Sequence, residues 1–147
     1  RTIMRLSGKV TSGLGRAHVF MAQPHYQEQF KKVLEVSAWP GTLNLDMDHN
    51  SLKDYQNLRI LSGLEEGDVT IKSKPFRIKG FERDGRSFGG ATAFLGKISS
   101  DKENWIGCAI LIPDLTRHTE TAEIISGSFL RELMPCKDGD ILEIKLD

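Results

Sequence analysis

Two stretches alternate apolar and polar residues at every second position. Met4, Leu6, Gly8 and Val10 alternate with Arg5, Ser7 and Lys9. Leu43, Leu45 and Met47 alternate with Thr42, Asn44 and Asp46. Period-two alternation marks a strand with one buried face. If Leu43, Leu45 and Met47 face the core, Thr42, Asn44 and Asp46 share the opposite face. "VTIKS", "FRIKGF", "SFGGATAFLGKI", "NWIGCAILIP", "AEIIS" and "ILEIKL" add strand-like pieces, and "HVFMA" (18–22) is predicted as a further short strand. Asp84-Gly85 is a hairpin signal. From Pro24 the period changes. Tyr26, Phe30, Val33 and Leu34 lie at i, i+4, i+7 and i+8, one face of a helix that Pro24 can start. Ser126 or Ser128 can cap a second short helix through Met134, ended by Pro135. Residues 48–67 read as polar and irregular. The expectation is a mainly β domain, a small β-barrel with short helices, whose closure removes exposed edges.

Composition narrows the classes. The chain has 147 residues, enough for one domain with a real core. Its 20 Lys and Arg balance 20 Asp and Glu. The positive field of a nucleic-acid or anionic-membrane binder is therefore missing. No apolar run approaches the roughly 20 residues of a membrane span. Cys108 and Cys136 form no Cys-x-x-Cys pair, which argues against zinc and fits a reducing cytoplasm.

The usual catalytic templates fail. "SGLGRAHVF" (12–20) carries Gly13 and Gly15, but Leu14-Gly15 stands where a Walker A loop needs Lys-Ser/Thr. It lacks the third glycine of a dinucleotide fingerprint, because position 18 is His. His18, His25, His49 and His118 show no metal-ligand spacing. No nucleophile elbow is present. On local pattern alone the glycine stretch is a turn between strands.

Three stretches together carry a resemblance: "GKVTSGLGRAHVF", "WPGTLNLDMD" and "EIISGSFLRELMPCKDGDILEI", in this order. The chain resembles the archaeal CTP-dependent riboflavin kinases, from Leu6 to Ile144. The resemblance implies a six-stranded cradle-loop barrel, and transfer of the γ-phosphoryl of CTP to the 5′-hydroxyl of riboflavin, giving FMN and CDP. It implies one riboflavin kinase domain over 1–147, without the winged-helix DNA-binding domain that family members often carry ahead of it. Gly13, Leu14, Gly15, Arg16, Ala17 and His18 would wrap the nucleotide, since glycine lets backbone N–H groups approach phosphate oxygens. Ser128, Phe129, Leu130 and Arg131 match a second nucleotide-contacting segment. Thr42 and Asn44 would hold Mg²⁺ through neutral oxygens. Thr116 and Glu123 match flavin-contacting positions.

Arg16 and Ala17 stand where the family usually has Glu-Gly. Arg16 either neutralises triphosphate charge or points to solvent. Phosphoryl transfer asks mainly for positioning and charge neutralisation, so a missing triad is no objection. Glu123 is the candidate base. Trp39, Trp105, Phe88 and Phe94 are aromatics available to a flavin, without an assigned stacking partner. Two alternatives remain at this level: a flavin- or nucleotide-binding barrel with impaired turnover, and a DNA-binding barrel of the swapped-hairpin type.

Overall fold

The computed structural model describes residues 4–13, 17–69 and 72–147, with the side chains of Ala17 and His18 outside it. Elements follow in the order β1 (Met4–Thr11), α1 (Ala17–Met21), α2 (Pro24–Leu34), β2 (Leu43–Met47), a 3₁₀ turn (His49–Ser51) and α3 (Leu52–Leu61). Then come β3 (Phe76–Ile78), β4 (Phe81–Arg83), β5 (Arg86–Phe88), β6 (Ala91–Ser99), β7 (Ile106–Pro113), β8 (Thr121–Ile125), α4 (Leu130–Leu133) and β9 (Ile141–Leu146). The main sheet runs β3-β6-β7-β8-β2-β1-β9, and β9 pairs back to β6. That last pairing closes a six-stranded antiparallel barrel, with β3 beside β6 as an appendage. Closure leaves no long unpaired edge within the ring.

Alternation decides which way each strand faces. Leu6, Val10, Leu43, Leu45, Phe94, Ile98, Ile110, Ile112, Ile124, Leu142 and Ile144 fill the interior. A second cluster lies outside the barrel. There Phe30 and Val33 of α2, with Met21 of α1, cover Ala93, Ala109, Leu111 and Ile125. Strands β6 and β7 are buried on both faces and therefore read as nearly continuous apolar runs. At Gly96 the strands pass so closely that a Cβ would sit 2.3 Å from the Lys145 carbonyl oxygen.

Most predicted elements form, with four corrections. "HVFMA" is not a strand, because residues 17–21 form α1. A run this short does not separate strand from helix by period, and burial of Met21 on the outer sheet face decides it. Residues 48–67 are not irregular. Asp48 caps the 3₁₀ turn by accepting from the Ser51 N–H at 3.0 Å, and α3 follows. Its buried side mixes Tyr55 and Leu58 with Asn57 and Arg59, so hydropathy hides the period. Neither Ser126 nor Ser128 caps α4. Phe129 holds the cap position without a side-chain bond, while the Ser126 hydroxyl donates to the Gly107 carbonyl at 2.7 Å. "VTIKS" falls partly outside the described residues, and its described positions 69, 72 and 73 are not in a strand. The Asp84-Gly85 hairpin forms as expected between β4 and β5, with φ of 51° and 75°.

Candidate functional site

Strand β2 lies between β1 and β8, and Asn44 is opposite Thr11 on one side and Glu123 on the other. Leu45 is buried in the barrel, so its neighbour Asn44 points outward, as does Glu123 beside Ala122 and Ile124. The two polar side chains therefore share one outer face. Thr42 joins them, its hydroxyl donating to Asn44 Oδ1 at 3.0 Å. The chain leaving β1 passes directly over this face. A Cβ on Gly13 would lie 2.5 Å from Asn44 Nδ2, so any larger residue there would push the segment or the amide aside. Met21 belongs to the outer cluster that also holds Leu111, whose β7 position is opposite Glu123.

Burial holds the Glu123 carboxyl above its ordinary range, and the nearby His118 pulls the other way. The surroundings come from α3 and the β7–β8 turn. The Tyr55 hydroxyl donates to the Thr121 carbonyl at 3.2 Å. Burial, reinforced by Glu123, raises that hydroxyl's pKa. Buried Arg59 donates through Nη1 to the His118 carbonyl at 2.7 Å and through Nε to Glu65 at 3.2 Å. Thr116 lies in the same turn, its hydroxyl accepting from the His118 N–H at 3.1 Å.

The second segment lies at the barrel mouth. A small cavity of about 30 Å³ is bounded by Trp39, Thr42, Ser126, Ser128, Phe129 and Arg131. Thr42 therefore borders both the Asn44 face and this mouth. Trp39 stacks on Phe129 with ring centroids 4.3 Å apart and planes 18° from parallel. Leu130 is buried in the barrel core, so its side chain is structural. Arg131 pairs with Asp138 at 3.1 Å, and Asp138 also accepts from the Ser12 hydroxyl. Those bonds, Ser12 first and Arg131 next, hold the Asp138 carboxyl below its usual range. They also tie the glycine segment to α4.

Of the predicted residues, Gly13, Thr42, Asn44 and Glu123 meet on one outer face, Ser128, Phe129 and Arg131 border the mouth cavity that Thr42 also lines, and Thr116 lies in the β7–β8 turn. Leu14, Gly15 and Arg16 lie outside the described residues, and Ala17 and His18 open α1. Sequence reasoning missed Arg59, Tyr55, Ser12 and Asp138. Asp138 was visible only as part of the turn "KDGD", and Arg59 acts on a backbone carbonyl, which leaves no sequence signature. Among the described residues no group of three or more His, Cys, Asp and Glu could hold a metal. No helix there is long and apolar enough to cross a membrane.

Residues 10–146 match the family profile CTP-dep_RFKase, described as "Domain of unknown function DUF120". A protein of Sulfurisphaera tokodaii named riboflavin kinase is 36% identical over 146 residues, covering 98% of this chain and 96% of the relative. A riboflavin kinase of Thermoplasma acidophilum is 32% identical over 141 residues, covering 96% of this chain and 56% of the relative. One from Pyrobaculum aerophilum is 33% identical over 144 residues, covering 97% and 60%. The chain therefore spans little more than half the length of the last two.

Proposed function

The chain belongs to the CTP-dependent riboflavin kinase family, and from that premise we propose that it transfers the γ-phosphoryl group of CTP to the 5′-hydroxyl of riboflavin, yielding FMN and CDP. The observation that carries the reading is the convergence of Gly13, Thr42, Asn44 and Glu123 on one outer face of the barrel. These residues come from three stretches far apart in sequence, and the set suits a phosphate donor meeting a hydroxyl acceptor.

Each residue has a task in this reading. The backbone around Gly13 approaches phosphate oxygens where a side chain would clash with Asn44. Ser128 and Phe129 bound the mouth cavity from which the nucleoside end extends. Thr42 and Asn44 would hold Mg²⁺. Their two side-chain oxygens, 3.0 Å apart, are hard and neutral, and a cation that keeps waters and phosphate oxygens as its other ligands fits such a pair. Mg²⁺ bound there neutralises charge on the donor phosphates.

Glu123 is the base. Its carboxylate accepts the proton of the riboflavin 5′-hydroxyl as the new O–P bond forms. The bond between the γ-phosphorus and the bridging oxygen breaks, and CDP leaves with that electron pair. A carboxyl with a raised pKa is a better proton acceptor than an ordinary one, once it is ionised. The remaining barrier reduction comes from holding the two reactants in line.

Parallel reactions with riboflavin, Mg²⁺ and CTP, UTP, ATP or GTP test the reading. FMN is expected with CTP at a rate at least about tenfold above the other three, a discrimination one or two hydrogen bonds to the base edge can supply. Equal rates with all four would reject CTP dependence, and no FMN with any would reject the kinase.

A further inference from the structure

Two of the segments that would hold the nucleotide meet on a single carboxylate. Ser12, directly before Gly13, donates its hydroxyl to Asp138 Oδ2. Arg131, in α4, donates through Nη2 to Asp138 Oδ1 at 3.1 Å. Both oxygens of Asp138 are thus used, one by each segment. Asp138 itself sits on a turn fixed to the barrel. The Gly139 N–H donates to the Val10 carbonyl and the Val10 N–H to the Asp140 carbonyl, both at 2.8 Å. The Asp140 N–H donates to the Lys137 carbonyl at 3.0 Å, and the Lys137 N–H donates to Asp140 Oδ2 at 2.9 Å. Gly139 closes this turn with a φ of 95°, a left-handed value that glycine takes without strain. Val10 is buried in the barrel, so the turn carries the carboxylate in the frame of the β1 end.

We propose that Asp138 is a positioning residue for the nucleotide, holding Ser12, and through it the Gly13 backbone, in place relative to α4 before CTP arrives. The inference rests on the kinase reading. These bonds contribute little to folding. The Asp138 side chain is 54% exposed and Ser12 is exposed, and at such sites water competes for the same groups. What the bonds fix is where two chain segments stand. A segment ordered in advance does not lose that freedom again when ligand binds, so affinity rises without a new ligand contact. Ordering matters most at Gly13, because its backbone lies against the Asn44 amide and glycine has the most freedom to lose. The Asp138 carboxyl is held below its usual range, by the Ser12 hydroxyl first and Arg131 next, so it stays ionised at neutral pH and accepts both bonds in their stronger, charge-assisted form. Asp138 touches no reacting atom in this account and acts through Ser12 and Arg131.

Initial rates of FMN formation and calorimetric titration with CDP test the role in wild type, Asp138→Ala, Asp138→Asn, Ser12→Ala and the double variant Ser12→Ala/Asp138→Ala. Asp138→Ala is expected to raise the KM for CTP and the dissociation constant for CDP about tenfold, with the KM for riboflavin within about twofold of wild type. Ser12→Ala is expected to give a smaller rise of the same kind. The double variant is expected to match Asp138→Ala, because that change has already broken the Ser12 bond. Asp138→Asn, which keeps a neutral acceptor for the Ser12 hydroxyl, is expected to recover part of the affinity. Melting midpoints should stay within about 2 °C of wild type, which separates positioning from a structural role. A CTP KM within about twofold of wild type in Asp138→Ala, a parallel rise in both KM values, or independent effects in the double variant would overturn the proposal and leave the kinase standing. A wild-type protein that forms no FMN yet binds CDP more tightly than Asp138→Ala would overturn the kinase reading and leave Asp138 as a positioning residue for a bound nucleotide. A wild-type protein that neither forms FMN nor binds CDP would overturn both.

Discussion

Asn44 and Glu123 are direct partners across the β2–β8 ladder, both on the outer face of the barrel, with Gly13 lying against the Asn44 amide. Seventy-eight residues of chain lie between the two. One strand pairing joins the amide that would hold the metal to the carboxyl that would take the proton.

Asn44→Ala removes one of the two paired oxygens and leaves the Thr42 hydroxyl without its partner. Losing one electrostatic partner of a reacting group typically costs about 10²–10³ in rate. A fall of that order in kcat is expected, with the thermal midpoint nearly unchanged because Asn44 contributes nothing to the core. Steady-state FMN formation and a melting curve check both halves.

Glu123→Gln addresses pH. The folded-state pKa of Glu123 is raised by burial. The folded protein therefore binds this proton more tightly than the unfolded chain, and stability falls as pH rises from the ordinary carboxyl range through the raised value. The Gln variant lacks that loss. It is expected to melt above wild type at neutral pH, with the difference vanishing at acid pH. Its activity should be low at every pH and should lack the acid limb attributable to protonation of Glu123. A pH series of melting curves and rates measures both.

Gly13→Val places a side chain where 2.5 Å separates an added Cβ from Asn44 Nδ2. The segment or the amide must move. The expected outcome is a KM for CTP raised about tenfold or more with a small loss of stability, since Gly13 is exposed and misplacing a positioning group by about 1 Å can cost up to about a hundredfold. Nucleotide titration and denaturation separate the two effects.

Arg59→Ala leaves Glu65 and the His118 carbonyl without their partner. Stability should fall by about 1–3 kcal/mol, the usual cost of stranding a buried polar group. Because the freed turn carries Thr116, the KM for riboflavin should rise while that for CTP stays near wild type. Arg59→Lys, which keeps the charge and loses the fork, should restore part of the riboflavin KM.

Phe94→Ala empties the barrel centre, where Phe94 is fully buried. A loss of about 3–5 kcal/mol is expected in urea unfolding, as for other buried aromatic truncations.

How far the sequence could be read depended on which surfaces each element buries. Strand β2 was legible because Leu45 and Met47 face the core while Asn44 and Asp46 do not. The Thr42–Asn44 pair followed from the same alternation. Helix α3 was not legible, because Asn57 and Arg59 are buried alongside Tyr55 and Leu58. Helix α1 is five residues long, too short for a period to declare itself. The Asn44–Glu123 pairing depends on register between strands far apart in sequence, which no local pattern records.

The most direct measurement is transfer of label from γ-phosphate-labelled CTP, in the presence of Mg²⁺, to riboflavin, read by chromatography of the flavin and nucleotide products. The account predicts labelled FMN and unlabelled CDP in equal amounts, with transfer reduced about a hundredfold or more in Asn44→Ala. Label that stays on CTP, or appears only as free phosphate while riboflavin remains unmodified, would contradict it.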